Sequence, residues 1–160
     1  WLPRQLERID PVSRWESPAA PGEVVVDELN RAFPRRVFTA THEWIADEPL
    51  HVGADLGPDP YAQLLAALGT CTSMTIWMVA NRKGVALDHV RVRLRHHREH
   101  VEDCETCEGD GARTVDVLER ELSFEGALSE ADRGMLVRIA DRCPVHRTLE
   151  GALAVRTQVV

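Results

Sequence analysis

The chain has 160 residues and a formal net charge of −7, with 44% hydrophobic and 28% charged residues. That length suits one domain, which would bury about two-thirds of the surface that the unfolded chain exposes. The acidic balance argues against nucleic acid or an anionic membrane surface as the natural partner. Residues 1–17 lack the apolar core of a signal peptide. Together with four cysteines, this favours the reducing cytoplasm, where thiols serve redox chemistry or bind metals.

The N-terminal third reads as an arm followed by short strands. Prolines punctuate residues 1–22, which we interpret as an arm or linker, so that the domain proper covers residues 23–160. Runs of β-branched residues separated by turn-forming residues predict an antiparallel meander. Its predicted strands are 23–29, 36–41 and 42–47, and a loop with proline and glycine follows at 48–58.

The central stretch predicts one long helix over residues 60–83. Asp59 suits the N-cap, Pro60 the first helical position, and Gly84 the residue just past the end. No charged side chain falls between Pro60 and Asn81, and apolar residues occupy nearly every face, which is typical of a buried helix. The run is long enough to cross a membrane, but its six polar side chains argue against that interpretation. A second copy of the helix is the simplest cover, so we expect an intertwined homodimer with Leu65, Trp77 and Met78 at its interface.

The C-terminal half predicts further strands and a second helix. We predict strands at 89–97 and 114–124, with a bulge near Glu119 where the alternation shifts, on either side of a polar tip at 103–112. A capping box predicts a helix from Ser129 to Cys143, stopped by Pro144. A last alternating strand is predicted at 153–159. Strands, a long helix, strands, a helix and a strand define an α+β domain.

Cys71 and Cys143 are the first candidates for chemistry. Each lies on the apolar face of its predicted helix, and both faces must point into the same small core. Buried cysteines are often inert small apolar residues, whereas a reactive thiol needs a nearby cation to hold its thiolate. The candidate cations lie in the first turn or just after Cys143: Arg31, Arg35, Arg36, His146 and Arg147.

Two stretches carry a family resemblance. GPDPYAQLLAALGTCTSM around Cys71 and DRCPVHRTLEGALAVRT around Cys143 resemble the family of osmotically inducible protein C (OsmC) and organic hydroperoxide resistance protein, from about Glu23 to the C-terminus. The resemblance implies antiparallel sheets packed around a long central helix, in an intertwined two-fold dimer. The DEP at 47–49 and the DCETCE at 103–108 resemble a branch that also occurs appended to an α/β-hydrolase.

The resemblance implies a thiol peroxidase that reduces organic or fatty-acid hydroperoxides in the oxidative stress response. Cys71 would attack the peroxide and become a sulfenic acid, and Cys143 would resolve it as a disulfide. Arg31 would hold the thiolate, with Arg35 and Arg36 as alternatives. No prosthetic group is implied, and an external dithiol would be the reductant. The family's glutamate at the helix start is replaced here by Tyr61, Ala62 and Gln63, so that no carboxylate occupies those places, and Glu48 of the preceding loop could substitute for it.

The other two cysteines, Cys104 and Cys107, form a CxxC pair that follows His96 and His100. Four nitrogen and sulfur ligands would make a tetrahedral zinc site. A surface dithiol that oxidises reversibly is the alternative. The competing function is therefore a non-catalytic binding domain of the same fold, which holds a lipid-like ligand beside Cys71 or a metal at the CxxC pair.

Overall fold

The fold is α+β, as the sequence predicts. The structure is a computed structural model that describes residues 16–100 and 114–159. The chain divides into two compact units, Trp1–Pro60 and Tyr61–Val160, and each is described by itself. The predicted boundary between an arm at 1–22 and a domain at 23–160 stays a prediction. The elements in chain order are β1 (Val25–Glu28), β2 (Arg35–Phe38), β3 (Glu43–Ala46), α1 (Pro60–Lys83), β4 (Leu87–His100), β5 (Thr114–Gly126), α2 (Glu130–Ala140) and α3 (Pro144–Glu150).

The first unit is the predicted antiparallel meander, with each strand shorter than the pattern suggested. The strand order is β1-β2-β3, and Val26 faces Val37, which in turn faces Trp44. The turn between β1 and β2 places Arg31 in the left-handed region at φ 57°. The side chain of Asn30 supports this turn, because its Oδ1 accepts the Ala32 N–H at 3.2 Å.

Asp47 organises the loop after β3. Its Oδ1 accepts the N–H of Glu48 at 2.8 Å, and its Oδ2 accepts those of Ala54 at 3.0 Å and Leu56 at 3.2 Å. Burial by itself would raise the pKa of Asp47, but the N–H groups of Leu56, Glu48 and Ala54 outweigh it and lower that pKa. The aspartate of the DEP motif therefore fixes the conformation of the loop through hydrogen bonds to three backbone N–H groups.

The second unit packs α1 and α2 against a long β4–β5 hairpin. The register runs without a break from His89 opposite Glu125 to His100 opposite Thr114. The predicted bulge near Glu119 is therefore wrong, and the irregularity lies between Leu87 and His89. Gly126 allows it, because at φ +132° a Cβ there would lie 2.2 Å from the Ala86 carbonyl oxygen. The core cluster consists of Ile76, Ala80, Leu87, Val90, Leu136 and Ala140.

Helix α1 has the predicted bounds but buries only one stripe. Its buried residues are Leu68, Thr72, Ile76, Val79 and Ala80, whereas Met74 is 69% exposed and Met78 60% exposed. The expectation of burial on nearly every side is thus not met within the single chain. By length and composition α1 could cross a membrane: an 18-residue window has mean hydropathy 1.3, and 22% of that window is buried. A soluble core helix passes the same test, so this observation is weak evidence for a membrane span.

The C-terminus departs from prediction in two places. The capping box of α2 is present, with Ser129 and Asp132 bonded reciprocally, but the helix ends at Ala140 and not at Cys143. Pro144 starts α3 instead of merely ending α2, because the missing N–H of proline costs nothing at the first position of a helix. The predicted strand at 153–159 is wrong: residues 151–159 are exposed and form neither helix nor strand.

We predict that Asp47→Asn lowers the melting temperature by several degrees at neutral pH. Because the folded pKa of Asp47 is lowered, its stabilising effect is complete above the unfolded pKa and is lost as pH falls through the folded pKa. The difference between Asp47→Asn and the unmutated chain should therefore vanish in strong acid. Thermal melts across acidic pH measure this, with Asp55→Asn, an exposed residue of the same loop, as the control. A constant difference down to the lowest pH would contradict the assignment.

Candidate redox site

The structure brings Cys71 and Cys143 together. Cys71 lies in the middle of α1, and Cys143 is the N-cap residue of α3. Both are free thiols, and a hydrogen bond between their side chains contributes to the pKa shift of each. Cys143 is fully buried, whereas Cys71 is partly exposed. We call these two thiols, with the groups that contact their sulfurs, the redox site.

The first turn of α3 supplies hydrogen-bond donors to both sulfurs. The His146 N–H donates to Cys143 Sγ at 3.5 Å. The Val145 N–H contributes to the electrostatics of both cysteines, as does the side chain of Thr72 at Cys143. Cys143 takes this place because the first N–H groups of a helix lack partners within the helix, and an N-cap side chain satisfies them.

The two thiols have opposite pKa shifts. Burial raises the pKa of Cys71, and the N–H of Val145 offsets this only in part. Burial would also raise the pKa of Cys143, but donors at His146, Cys71, Thr72 and Val145 outweigh it, and the pKa of Cys143 is lowered. Cys143 is therefore the more acidic of the two thiols, and Cys71 is the more accessible one.

A buried arginine beside the site was missed by the sequence analysis. Arg120 on β5 has a side chain that is 13% exposed. Its Nη1 donates to Thr72 Oγ1 at 3.4 Å and to the Ala140 carbonyl at 3.1 Å, and its Nη2 donates to Asp141 at 2.6 Å. The available signal was its position: Arg120 has the same strand parity as its apolar neighbours Leu118 and Leu122, and a charged residue in that phase needs partners.

The arginines predicted to hold a thiolate lie in the first unit, around the β1–β2 turn. Arg31 is exposed and, within residues 16–100 and 114–159, has no hydrogen-bond or ion-pair partner. Arg35 donates to the Pro34 carbonyl at 3.0 Å, and Arg36 pairs with Glu43 at 2.7 Å. Two candidate cations follow Cys143. His146 Nε2 lies 3.0 Å from Glu150 Oε2, and Arg147 is exposed.

Tyr61, which occupies one of the places of the family glutamate, is bound to a polar cluster on the hairpin. Its ring stacks on His96 at 4.1 Å between centroids. His96 Nε2 lies 2.8 Å from Asp116 Oδ1, and that oxygen accepts Arg98 Nε at 3.1 Å. The His96 and Arg98 hydrogen bonds lower the pKa of Asp116. His96 is thus committed to Tyr61 and Asp116.

The zinc hypothesis falls mainly on residues outside the described ranges, since Cys104 and Cys107 lie in neither 16–100 nor 114–159. His100 is exposed at the end of β4. Within the described part of the chain, no three His, Cys, Asp or Glu side chains are grouped so that they could hold a metal ion. Zinc at the CxxC pair stays a prediction.

Two concave surfaces in the second unit involve α1. A pocket of about 270 Å³ adjoins the redox site through His146, with Leu68, Leu118, Leu149 and Arg120 among its lining. A shallower groove of about 620 Å³ lies between α1 and β4, where Leu65, Gly69, Met74, Val92 and Leu94 are lining residues. We call this second surface the apolar groove.

The described residues thus form an α+β fold in which two free thiols lie close together beside a long helix. The chain belongs to the OsmC-like protein family, whose model matches residues 53–158. No curated protein matches it. An OsmC-like protein from Mycoplasma pneumoniae shares 20% identity at TM-score 0.63, over 81% of this chain and 86% of that one.

Two further solved structures are organic hydroperoxide resistance proteins. The one from Legionella pneumophila is 15% identical with TM-score 0.57, over 87% of this chain and 92% of that one. The one from Elizabethkingia anophelis is 14% identical with TM-score 0.59, over 88% and 91%. Identities this low show that the fold is shared. The activity of this chain has to be argued from its own site residues.

Proposed function

We propose that this chain is a thiol-dependent peroxidase that reduces organic or fatty-acid hydroperoxides. The observation that carries the proposal is the contact between two free thiols, Cys71 and Cys143, one accessible and one buried. The organic hydroperoxide resistance proteins of the same fold support it. The proposed setting is the cytoplasm, with an external dithiol as the reductant and with no prosthetic group.

The proposed chemistry uses each thiol once. The Cys71 thiolate attacks the peroxide, the O–O bond breaks, and the alkoxide leaves and takes up a proton to become the alcohol. Cys71 is then a sulfenic acid. The Cys143 thiolate attacks the Cys71 sulfur, the S–O bond breaks, and hydroxide leaves and is protonated to water. The external dithiol then reduces the disulfide by exchange. Accessibility favours Cys71 for the first step, because Cys143 has no exposed surface.

A cation must act on Cys71 for the first step to be fast. Burial raises the pKa of that thiol, whereas the thiolate is the nucleophile. We propose Arg31 for this role, since it is the candidate arginine without a partner in the described part of the chain. Arg35 and Arg36 already have hydrogen bonds within their own turn and sheet.

One observation favours a second candidate function. The raised pKa of Cys71, together with a tyrosine in one of the family glutamate's places, suits a thiol that does not react. The chain would then be a non-catalytic binding domain, with the pocket beside His146 holding a small lipid-like molecule. The rate of sulfenic-acid formation at low peroxide separates the two candidates.

We also propose that the chain forms a homodimer through α1. Met74 and Met78 are exposed on this helix, and the apolar groove beside it is open. Apolar surface left in water costs about 25 cal/mol for each Å². A second copy of α1 brings the same apolar surface and can cover both copies across a two-fold axis. Trp77 already packs against the core cluster of its own subunit, so Met74 and Met78 are better markers of this interface.

We predict that Cys71→Ser abolishes hydroperoxide turnover, because the attacking sulfur is gone. Cys143→Ser should form one sulfenic acid per chain and no reducible disulfide. A sulfenic-acid trap with peptide mass spectrometry measures both, in a Cys104→Ser/Cys107→Ser background that removes the other two thiols. Turnover that persists in Cys71→Ser would rule out this mechanism. Slow labelling of Cys71 only at high peroxide would support the binding domain.

For Arg31, we predict that replacement by Ala raises the pKa of Cys71 by about 1 to 3, as expected when an opposite charge is removed. Alkylation of Cys71 near neutral pH then slows. Arg31→Gly should slow alkylation equally while raising stability by about 1 kcal/mol, since Arg31 occupies the left-handed region at φ 57°. Identical alkylation profiles in Arg31→Ala and the unmutated chain would exclude Arg31, and Arg35→Ala and Arg36→Ala would then identify the residue.

For the dimer, we expect light scattering to give twice the mass of one chain in dilute solution. A charge at the interface, Met78→Glu or Leu65→Glu, should produce a monomer or an unfolded chain. The control is Val137→Glu on α2, an apolar residue that is 47% exposed, compared with 60% for Met78. A folded monomer before mutation would refute the proposal. So would flotation of that monomer with phospholipid vesicles, which would assign α1 to the membrane.

A further inference from the structure

We propose that Arg120 is a positioning residue for Cys143 and acts through the hydroxyl of Thr72. The three residues come from three elements, since Arg120 is on β5, Thr72 on α1 and Cys143 at the start of α3. The described contacts connect them in series, from guanidinium to hydroxyl to sulfur. The consequence for resolution of the sulfenic acid rests on the proposed function, but the series of contacts does not.

Thr72 behaves differently from the other threonines of its helix. Thr70 Oγ1 donates to the Ala66 carbonyl and Thr75 Oγ1 to the Cys71 carbonyl, each at 2.7 Å, four residues back. That is the usual bond for a threonine inside a helix. Thr72 is fully buried, and its oxygen accepts from Arg120 Nη1 at 3.4 Å. Its side chain also acts on Cys143, where hydrogen bonding lowers the pKa of the thiol.

A hydroxyl has one proton and two lone pairs, and this decides the direction of the series. Arginine can only donate, so the Arg120 contact occupies a lone pair of Thr72 Oγ1. The single hydroxyl proton is then free to point at the Cys143 sulfur, where it stabilises the thiolate. Without Arg120, the same hydroxyl could turn and donate to the carbonyl four residues earlier, as Thr70 does.

The guanidinium itself is held in one place. Besides Thr72 it bonds to the Ala140 carbonyl and to the Asp141 carboxylate. Only 13% of its side chain is exposed, and a largely buried charge with one planar donor fork has few alternative orientations. The position of Thr72 Oγ1 relative to the sulfur is therefore fixed by β5 as well as by α1.

The elements that meet around Cys143 and Arg120 each carry a titratable or charged group. These are Cys71 from α1, Arg120 from β5, Asp141 from the turn after α2, and His146 from α3, which is paired with Glu150. The negative charge of Asp141 would disfavour a thiolate nearby, but this carboxylate forms an ion pair with Arg120 at 2.6 Å. In the resolution step the Cys143 thiolate attacks the Cys71 sulfenic sulfur, and hydroxide leaves, so a larger thiolate fraction makes that step faster.

The test titrates Cys143 as the single thiol. In a Cys71→Ser/Cys104→Ser/Cys107→Ser background, the ultraviolet absorbance of the thiolate is followed against pH. Thr72→Val removes the hydroxyl at nearly constant volume and should raise the pKa of Cys143 by about 1, which is about a tenfold loss of thiolate near neutral pH. Thr72→Ser should restore the original titration. Thr70→Val, whose hydroxyl is bonded to its own helix, should leave it unchanged.

The double variant tests whether the residues act in series. Arg120→Met should shift the titration in the same direction as Thr72→Val, and the combination should shift it no further than the larger single change. Arg120→Lys serves if Arg120→Met does not fold. Coincident titrations of Thr72→Val and its parent would overturn the inference, as would additive shifts. If the titration shifts but the unmutated chain turns over no hydroperoxide, the proposed function fails and the positioning role stands.

Discussion

The largely buried guanidinium of Arg120 fixes the point at which three elements of the second unit meet. It connects β5 to the middle of α1 through Thr72 and to the end of α2 through Ala140 and Asp141. A charge that is largely removed from water must be fully paired, because an uncompensated one costs several kcal/mol. The three elements therefore have to meet at this point. Cys143 follows Asp141 by two residues. The contacts of Arg120 with Thr72 and Asp141 therefore also determine where Cys143 lies relative to α1.

Cys71 and Cys143 have the same side chain, but their positions in the fold give them different acidities. Cys71 is in the middle of a helix, where the backbone N–H groups around it are already bonded within the helix, and burial dominates its pKa. Cys143 is at a helix start, where N–H groups lack intrahelical partners, and those donors lower its pKa. The accessible thiol is thus the less acidic of the pair. An enzyme with this site needs a cation near Cys71 to stabilise the thiolate there, whereas the hydrogen-bond donors that stabilise a Cys143 thiolate are already present.

What the sequence predicted was local, and what it missed depended on distant partners. The bounds of α1 follow from Pro60 and Gly84, and the start of α2 from Ser129, because caps act within a few residues. The prediction of a strand at 153–159 was wrong for the opposite reason. Alternating residues are compatible with a strand, but a strand forms only where a neighbouring strand supplies the hydrogen bonds. Arg120 was overlooked because its partners lie 20 or more residues away in sequence. The closeness of Cys71 and Cys143 was anticipated in two ways, from two apolar helix faces that share a core and from the disulfide that the family resemblance implies.

The chemical character of the donors decides how the site responds to its surroundings. Cys143 is stabilised by backbone N–H groups and a hydroxyl at contact distance inside the fold, and salt hardly screens buried contacts of this kind. Arg31 is an exposed charge on a turn, where an interaction over more than about 8 Å is largely screened at physiological ionic strength. Tyr61 brings no carboxylate to the start of α1 and is instead stacked on His96. If the proposed arginine serves Cys71, it must do so at contact distance, since no longer-range charge would survive that screening.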